Sequence, residues 1–182
     1  MLAYLKARSV ELTPSAIRER IRNAATELET VLADVSPAQA RIRPIPGKWT
    51  IAEVVDHIAQ TQVRGTEELR HLLAGRRPPL PPVYEALRSG AAEWAPWETL
   101  LSELQEANRA MFETLQSATG EDAAANAPTV RTVMVATRKL EDGSAGPQIF
   151  FAELHWKEYA LLQRLHLLDH RTQVKKLRAA LP

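Results

Sequence analysis

Apolar residues recur every three or four positions in four separate stretches of the chain, the spacing that gathers them on one face of an α-helix. In the first stretch Ile17, Ile21, Ala24, Leu28 and Val31 form one stripe. Thr13 is suited to cap that helix, and Pro14 falls at its first position, where a missing N–H costs nothing. The helix is expected to stop near Val35, ahead of Pro37. The second stretch runs from Ile51 to about Ala74, with Ile51, Val54, Val55, Ile58, Leu69 and Leu72 as its apolar surface. Thr50 and Glu53 have the spacing of a capping box, in which each side chain serves the other's unpaired backbone N–H. Gly75 ends this helix, and Arg76 and Arg77 lie at the negative end of its dipole. The third stretch, Trp97 to Ser117, carries Leu100, Leu104, Ala107, Met111 and Leu115. The last begins at Ala152 or Trp156 and reaches Leu181, with Leu161, Leu162, Leu165, Leu168 and Leu177.

The segments between them are richer in breakers. Ser36 to Trp49 holds Pro37, Pro44, Pro46 and Gly47 and reads as a loop. Gly75 to Pro96 contains Pro78, Pro79, Pro81 and Pro82, with room for a short helical piece around Tyr84–Leu87. Thr129 to Leu140 is β-branched and roughly alternating; with a turn at Asp142-Gly143 and a second arm at Gln148–Phe151 it suggests a small hairpin. The pattern predicts an all-α fold, a four-helix bundle of one domain over residues 1–182, with a long Pro-rich crossover between its second and third helices and the hairpin before its last. A crossover of about 22 residues could extend ~70 Å, whereas a helix of about 25 residues is ~37 Å long. The second and third helices can therefore run parallel, in an up-down-down-up order. The chain after Ser117 is also long, so its length permits up-down-up-down equally well.

Composition narrows the function. The 182 residues carry 23 basic and 22 acidic groups, a formal charge of +1, without the basic face that nucleic-acid binding needs. No nucleic-acid partner is expected. Cysteine is absent, which excludes disulfides, thiolate catalysis and Cys-type zinc sites. The start of the chain lacks the continuous apolar stretch of a signal peptide, and no run approaches the ~20 apolar residues that span a bilayer. A cytoplasmic location and no membrane partner are the resulting expectations. Paired glycosidase carboxylates, Gly-rich phosphate loops and a Gly-x-Ser-x-Gly elbow are not found.

Histidine is then the residue to follow. Of the five, His166 and His170 are four apart on the last helix, so that both rings project from one face, about a turn apart, and can reach one metal ion. With Leu161, Leu165 and Leu168 at the centre of the buried stripe, both fall at its border. His57 flanks the apolar stripe of the second helix in the same way. Three neutral imidazoles would leave an open coordination position, the usual arrangement of a catalytic zinc site. The plainer alternatives are a border histidine bonded to a neighbouring carboxylate, and a solvated pair favoured by the helix dipole. His71, close to the end of its helix, fits the dipole explanation. His155 lies ~16 Å from His166 if one helix joins them, but could approach the site if the helix starts after it. Trp49 reads as a hydrophobic staple beside the cap. Trp94, Trp97 and Trp156 are packing or pocket lining.

The segment Gly47-Lys48-Trp49-Thr50-Ile51-Ala52-Glu53-Val54-Val55-Asp56-His57-Ile58 resembles the first signature of the DinB-like (YfiT-type) metalloprotein superfamily, and His166-Leu167-Leu168-Asp169-His170-Arg171-Thr172-Gln173-Val174 resembles its second. The resemblance implies an up-down-down-up bundle, often a homodimer, with one divalent metal held by His57, His166 and His170. Zinc is the first expectation, with nickel, iron or manganese as alternatives. Members of the superfamily include thiol-dependent transferases or isomerases and metal-dependent hydrolases. The first expectation is thus a metal-dependent enzyme, hydrolase or thiol-dependent transferase, acting on a small molecule. Asp56, Glu53 or Asp169 would then orient the imidazoles, although Asp169 is expected to point elsewhere on its helix, and the sequence names no catalytic base. The alternative is a non-catalytic, stress-associated dimerisation bundle whose metal is structural, with a fourth protein ligand such as His155 or a carboxylate.

Overall fold

The structure, a computed structural model, describes residues 1–119, 127–139 and 145–182. Its helices are α1 (Leu2–Glu11), α2 (Pro14–Leu32), α3 (Pro37–Arg41), α4 (Ile51–Leu73), α5 (Trp97–Gln116) and α6 (Trp156–Ala179), and a two-stranded antiparallel sheet, β1 (Val130–Lys139) with β2 (Ala145–Leu154), precedes α6. No helix among the described residues is long and apolar enough to cross a membrane.

Four long helices, α2, α4, α5 and α6, form the bundle. The starts of α2 and α4 are set locally, as the sequence suggests. Thr13 Oγ1 accepts the Ala16 N–H at 3.2 Å with Pro14 at the first helical position. Thr50 Oγ1 accepts from Glu53 N at 3.1 Å while Glu53 Oε2 accepts from Thr50 N at 2.6 Å. The apolar stripes meet inside: Ile17, Ile21 and Leu28 of α2, Ile51 and Ile58 of α4, and Leu100, Leu104, Met111 and Leu115 of α5 are all fully enclosed. Burying a side chain of this size contributes about 1.5–3 kcal/mol. On α6 the enclosed stripe is Ala160, Leu161, Leu167, Val174 and Leu177, whereas Leu165 and Leu168 are only half-buried. The expected centre of that stripe is therefore shifted, and the histidine face of α6 turns inward toward α4.

α4 packs on α5 and α6, and α2 packs on α6 and α5. Polar contacts tie particular ends together. Arg18 donates to the Leu115 carbonyl at 3.1 Å, and the Trp97 indole donates to Val35 O at 3.0 Å. Lys157 reaches Leu12 O at 3.3 Å, and Arg178 reaches Val31 O at 2.6 Å.

Two local expectations need correction, and one further helix forms where the pattern suggests none. The loop expected over 36–49 contains the short helix α3, because Ser36 and Gln39 form a second capping box around Pro37. The chain's first residues form α1, which packs on α6 and buries Leu5; one enclosed side chain makes too short a period to read from sequence. The helical piece expected at Tyr84–Leu87 is not formed, and a single 3₁₀ turn, Ala91–Glu93, lies further on. Side chains of α4 claim the backbone groups that a helix at 84–87 would use, as described below.

The expected hairpin is present and its second arm is longer than anticipated, pairing Val130 with Leu154 through to Lys139 with Ala145. Pro147 is accommodated because a strand of a two-stranded sheet has an unpaired edge. Val130, Met134, Ala152 and Leu154 face the core. The expected turn at Asp142-Gly143 lies outside the described residues.

Candidate metal centre

His57, in the second turn of α4, faces His166 and His170 on α6. His57 Nε2 lies 3.0 Å from His166 Nε2, which in turn lies 3.0 Å from His170 Nε2. The ligand atoms of all three fall within 4.8 Å of one another, and the group could hold a metal ion. Nitrogen ligands ~2.0–2.1 Å from a tetrahedral zinc are roughly 3.3 Å apart, close to the two contacts seen here.

The far side of two rings explains why their Nε2 atoms turn inward. His57 Nδ1 lies 2.9 Å from Leu87 O, and His170 Nδ1 lies 2.7 Å from Gln173 Oε1. Both oxygens are acceptors, so the Nδ1 atoms carry the protons and the Nε2 lone pairs face the centre. Such an outer bond to an acceptor fixes the tautomer of a metal-binding histidine. His166 Nδ1 has no hydrogen-bond partner. His57 Nε2 and His170 Nε2 are thus two acceptors turned on His166 Nε2, and with the His166 proton on Nδ1 the three lone pairs together would suit a cation.

The carboxylates expected to orient the imidazoles act less directly. Asp56 Oδ1 accepts from Ser89 N at 3.1 Å and Ser89 Oγ at 2.7 Å, and Oδ2 accepts from Gly90 N at 3.0 Å. This buried carboxylate pins the segment carrying Leu87, whose carbonyl then holds His57. Gly90 takes φ 84, a left-handed conformation open to glycine at little steric cost. These bonds draw the 84–90 segment away from a helix. Glu53 is occupied by its cap and by Arg43 and Arg88 at 3.0 and 3.3 Å. Asp169, expected to point elsewhere, lines the same cavity as the histidines. It stands three residues after His166, a spacing that shares a helical face and could have been read from sequence. Leu87 and Gln173 could not be found that way, since a backbone carbonyl carries no sequence signal and a glutamine is ordinary on a helix.

Over the histidines opens a cavity of about 470 Å³. Its walls come from the 82–87 segment, Thr61, Arg64 and Glu68 of α4, residues 131–134 of β1, and the α6 face carrying Tyr159, Leu162, Gln163 and Leu165. The tryptophans divide. Trp97 and Trp156 are buried, Trp94 is 76% exposed, and Trp49 stands with its ring centroid 5.1 Å from that of His57 and 5.3 Å from the Arg88 guanidinium carbon. His155 precedes α6, where its N–H donates to Glu158 at 3.1 Å. It lines a separate cavity with Lys6 and Trp156, and does not join the three-histidine group. His71 sits in the last turn of α4, also outside the group.

The electrostatics agree with neutral imidazoles. Burial, followed by the neighbouring His170 and His57, holds His166 well below the usual histidine value. Burial and His57 bring His170 down to about 4, against the opposing bond to Gln173. Burial lowers His57 as well, assisted by Arg88 and opposed by the Leu87 bond and Asp56. Histidine must be deprotonated to bind a metal, so a site that keeps its rings neutral removes one competitor, the proton.

A helical bundle with three histidines converging between two of its helices defines a class of possible metalloproteins. Residues 20–139 match the family model described as the DinB superfamily, and the chain belongs to that superfamily. Among solved structures it is similar to TT2238, a four-helix bundle protein, at a TM-score of 0.56 and 18% identity, covering 90% of this chain and 99% of that one. At that identity the likeness establishes the fold alone. No curated protein matches the chain.

Proposed function

We propose that this chain is a metal-dependent enzyme of one domain, a hydrolase or thiol-dependent transferase acting on a small molecule. His57, His166 and His170 are its ligands to one divalent ion, zinc before nickel, iron or manganese. The observation that carries the reading is the convergence of three Nε2 atoms at the wall of a cavity, with two of the rings held from behind by Leu87 O and Gln173. The outer bonds make two of these atoms acceptors, so the group is completed by a proton on His166 Nε2 or by a cation among the three, and its place at a cavity wall favours the cation.

A divalent ion bound there supplies a lowered pKa for a water or thiol at its open position. The rest falls to the chain. Leu87 and Gln173 keep two rings in the ligating tautomer, and Asp56 holds the Leu87 segment in place. Leu162 and Leu165 line the cavity beside the site, and Trp49 packs its ring against His57. Among the described residues the group has no fourth protein ligand, which favours a catalytic over a structural ion.

The end-to-end contacts of Arg18 with Leu115, Lys157 with Leu12 and Arg178 with Val31 support an up-down-down-up order of the four long helices. In that order α2 and α6 run parallel. A homodimer, as the superfamily resemblance implies, and a cytoplasmic location, the expectation from the missing signal-peptide stretch, remain part of the reading.

The test is elemental analysis of untagged protein prepared without chelator, followed by calorimetric titration with zinc. One equivalent per chain is expected. Protein that carries no stoichiometric metal and binds none on addition would rule the reading out. A screen of ester, amide and thiol-transfer substrates with the loaded protein then separates enzyme from non-catalytic bundle.

A further inference from the structure

The cavity over the histidines follows α4 and α6, which make polar contact at two places along it. At one, His57 of α4 meets His166 of α6. At the other, Glu68 of α4 accepts from the Tyr159 hydroxyl of α6 and from Arg64 Nε at 2.7 Å, while Arg64 also donates to Pro81 O at 2.7 Å. His57, His166, Arg64, Glu68 and Tyr159 all line the cavity. Tyr159 precedes His166 by seven residues, so the two contacts stand roughly 10 Å apart along α6.

Much of the remaining wall is aliphatic. Leu162 and Leu165 lie between Tyr159 and His166 on α6, Val83 and Leu87 come from the crossover, and Val133 comes from β1. Each of these is half-buried rather than enclosed, and so keeps apolar surface that a ligand can cover, a favourable exchange.

The charged groups offer a ligand little. Glu68 is 6% exposed and its two oxygens are taken by Arg64 and Tyr159, so this contact carries no net charge. The other charged side chains of the lining, Glu85, Arg131 and Asp169, are exposed and keep their charges in water. A charge carried in among the aliphatic side chains would lose hydration without gaining a partner, which is costly. The length of a fitting occupant follows from the same geometry. Extended backbone advances ~3.5 Å over the three bonds of a residue, so roughly eight or nine bonds span ~10 Å.

We propose that the cavity takes a linear, uncharged aliphatic chain of about eight carbons, carried on a head group that binds at the three-histidine centre. The Arg64–Glu68–Tyr159 contact is the wall at which this chain stops. The proposal rests on the metal reading above and names its substrate class, a medium-chain acyl or alkyl compound with a metal-binding head. Leu162 and Val133 are specificity-determining residues for the chain.

The test uses the zinc-loaded full chain and hydroxamic acids, which bind zinc through their head group. Straight-chain members from acetohydroxamic to dodecanohydroxamic acid are compared by calorimetry, below the concentrations at which they form micelles. Affinity is expected to rise about three- to fourfold with each added methylene, and to level off or fall beyond about eight carbons. A chain of that length ending in carboxylate should bind at least about tenfold more weakly than its methyl-ended counterpart. Leu162→Asn should flatten the rise and leave the affinity for acetohydroxamic acid unchanged. Val133→Asn gives the same reading should Leu162→Asn not fold. If the native chain takes up no zinc, or the loaded chain does not bind acetohydroxamic acid, the metal reading has failed. The metal reading stands and the aliphatic-chain proposal is overturned by any of three results: affinity independent of chain length, indifference to a carboxylate end, or a rise that persists in both variants.

Discussion

Two of the polar groupings inside this bundle touch α4 within five residues of each other, and they are built on opposite rules. Around Gln62, donors meet acceptors. Its Nε2 donates to Asn108 Oδ1 at 3.0 Å, and Asn108 Nδ2 donates to Glu29 Oε1 at 3.0 Å, joining α4, α5 and α2. One acceptor, Gln62 Oε1, is left over. Around His57, the Nε2 acceptors of His57 and His170 turn on His166 Nε2 across α4 and α6, because their Nδ1 protons are bonded outward to Leu87 O and Gln173 Oε1. The first arrangement fixes how helices sit together, since its parts complete each other. The second brings two acceptors onto a ring whose own outer nitrogen is unpartnered, an arrangement that a cation among the three would complete. Complementarity between neighbours marks structure, and convergence of like atoms marks a site.

The sharpest way to break this contrast is to remove one member of each set. His166→Ala should lower zinc affinity by more than ~100-fold, beyond the loss expected for an outer-shell partner, and should leave the stability of metal-free protein unchanged or slightly higher. A large loss of metal-free stability would show that the histidines are a structural network after all. Asn108→Ala should do the reverse. By stranding Gln62 it should cost about 1–3 kcal/mol in urea unfolding, with zinc stoichiometry intact.

Gln173→Ala removes only the acceptor behind His170. About a 10- to 100-fold loss of zinc affinity is expected, with little change in unfolding of the metal-free chain. A value equal to wild type would mean that this outer bond does not set the tautomer.

Acid should act on the two sets unequally as well. The three histidines are held below their ordinary value of 6.5, His170 at about 4. Between those values the unfolded chain binds more protons than the folded one. Metal-free protein should therefore be at full stability above pH ~6.5 and lose stability as the pH falls toward ~4. Thermal midpoints across that range check the sign, and His170→Gln should flatten the slope. The smallest expected effect is that of His71→Ala, which should change neither zinc binding nor stability appreciably. A loss matching that of His57→Ala would mean that the trio is wrongly chosen.

Much of this could be read along the chain. The caps at Thr13 and Thr50 and the stripes of α2, α4 and α5 are local patterns with a helical period, and they form as expected. Ser36-Pro37-Ala38-Gln39 carried the same capping signal and was obscured by the prolines around it. The pattern centres the α6 stripe on Leu161, Leu165 and Leu168, of which only Leu161 is enclosed, because leucine marks both the core and the cavity wall. Leu161 and Leu167 are enclosed, whereas Leu162 and Leu165 line the pocket.

By itself the sequence determined which residues form the four long helices and that His166 and His170 share a face, because hydrogen bonding within a helix makes position and direction a matter of counting. Only the tertiary structure decided that His57 meets them, that a carbonyl 30 residues away turns its ring, and that Tyr159 meets Glu68 further along the same cavity. Those facts depend on which helices pack together and how closely. Such contacts join residues far apart in the chain, and no local period records them.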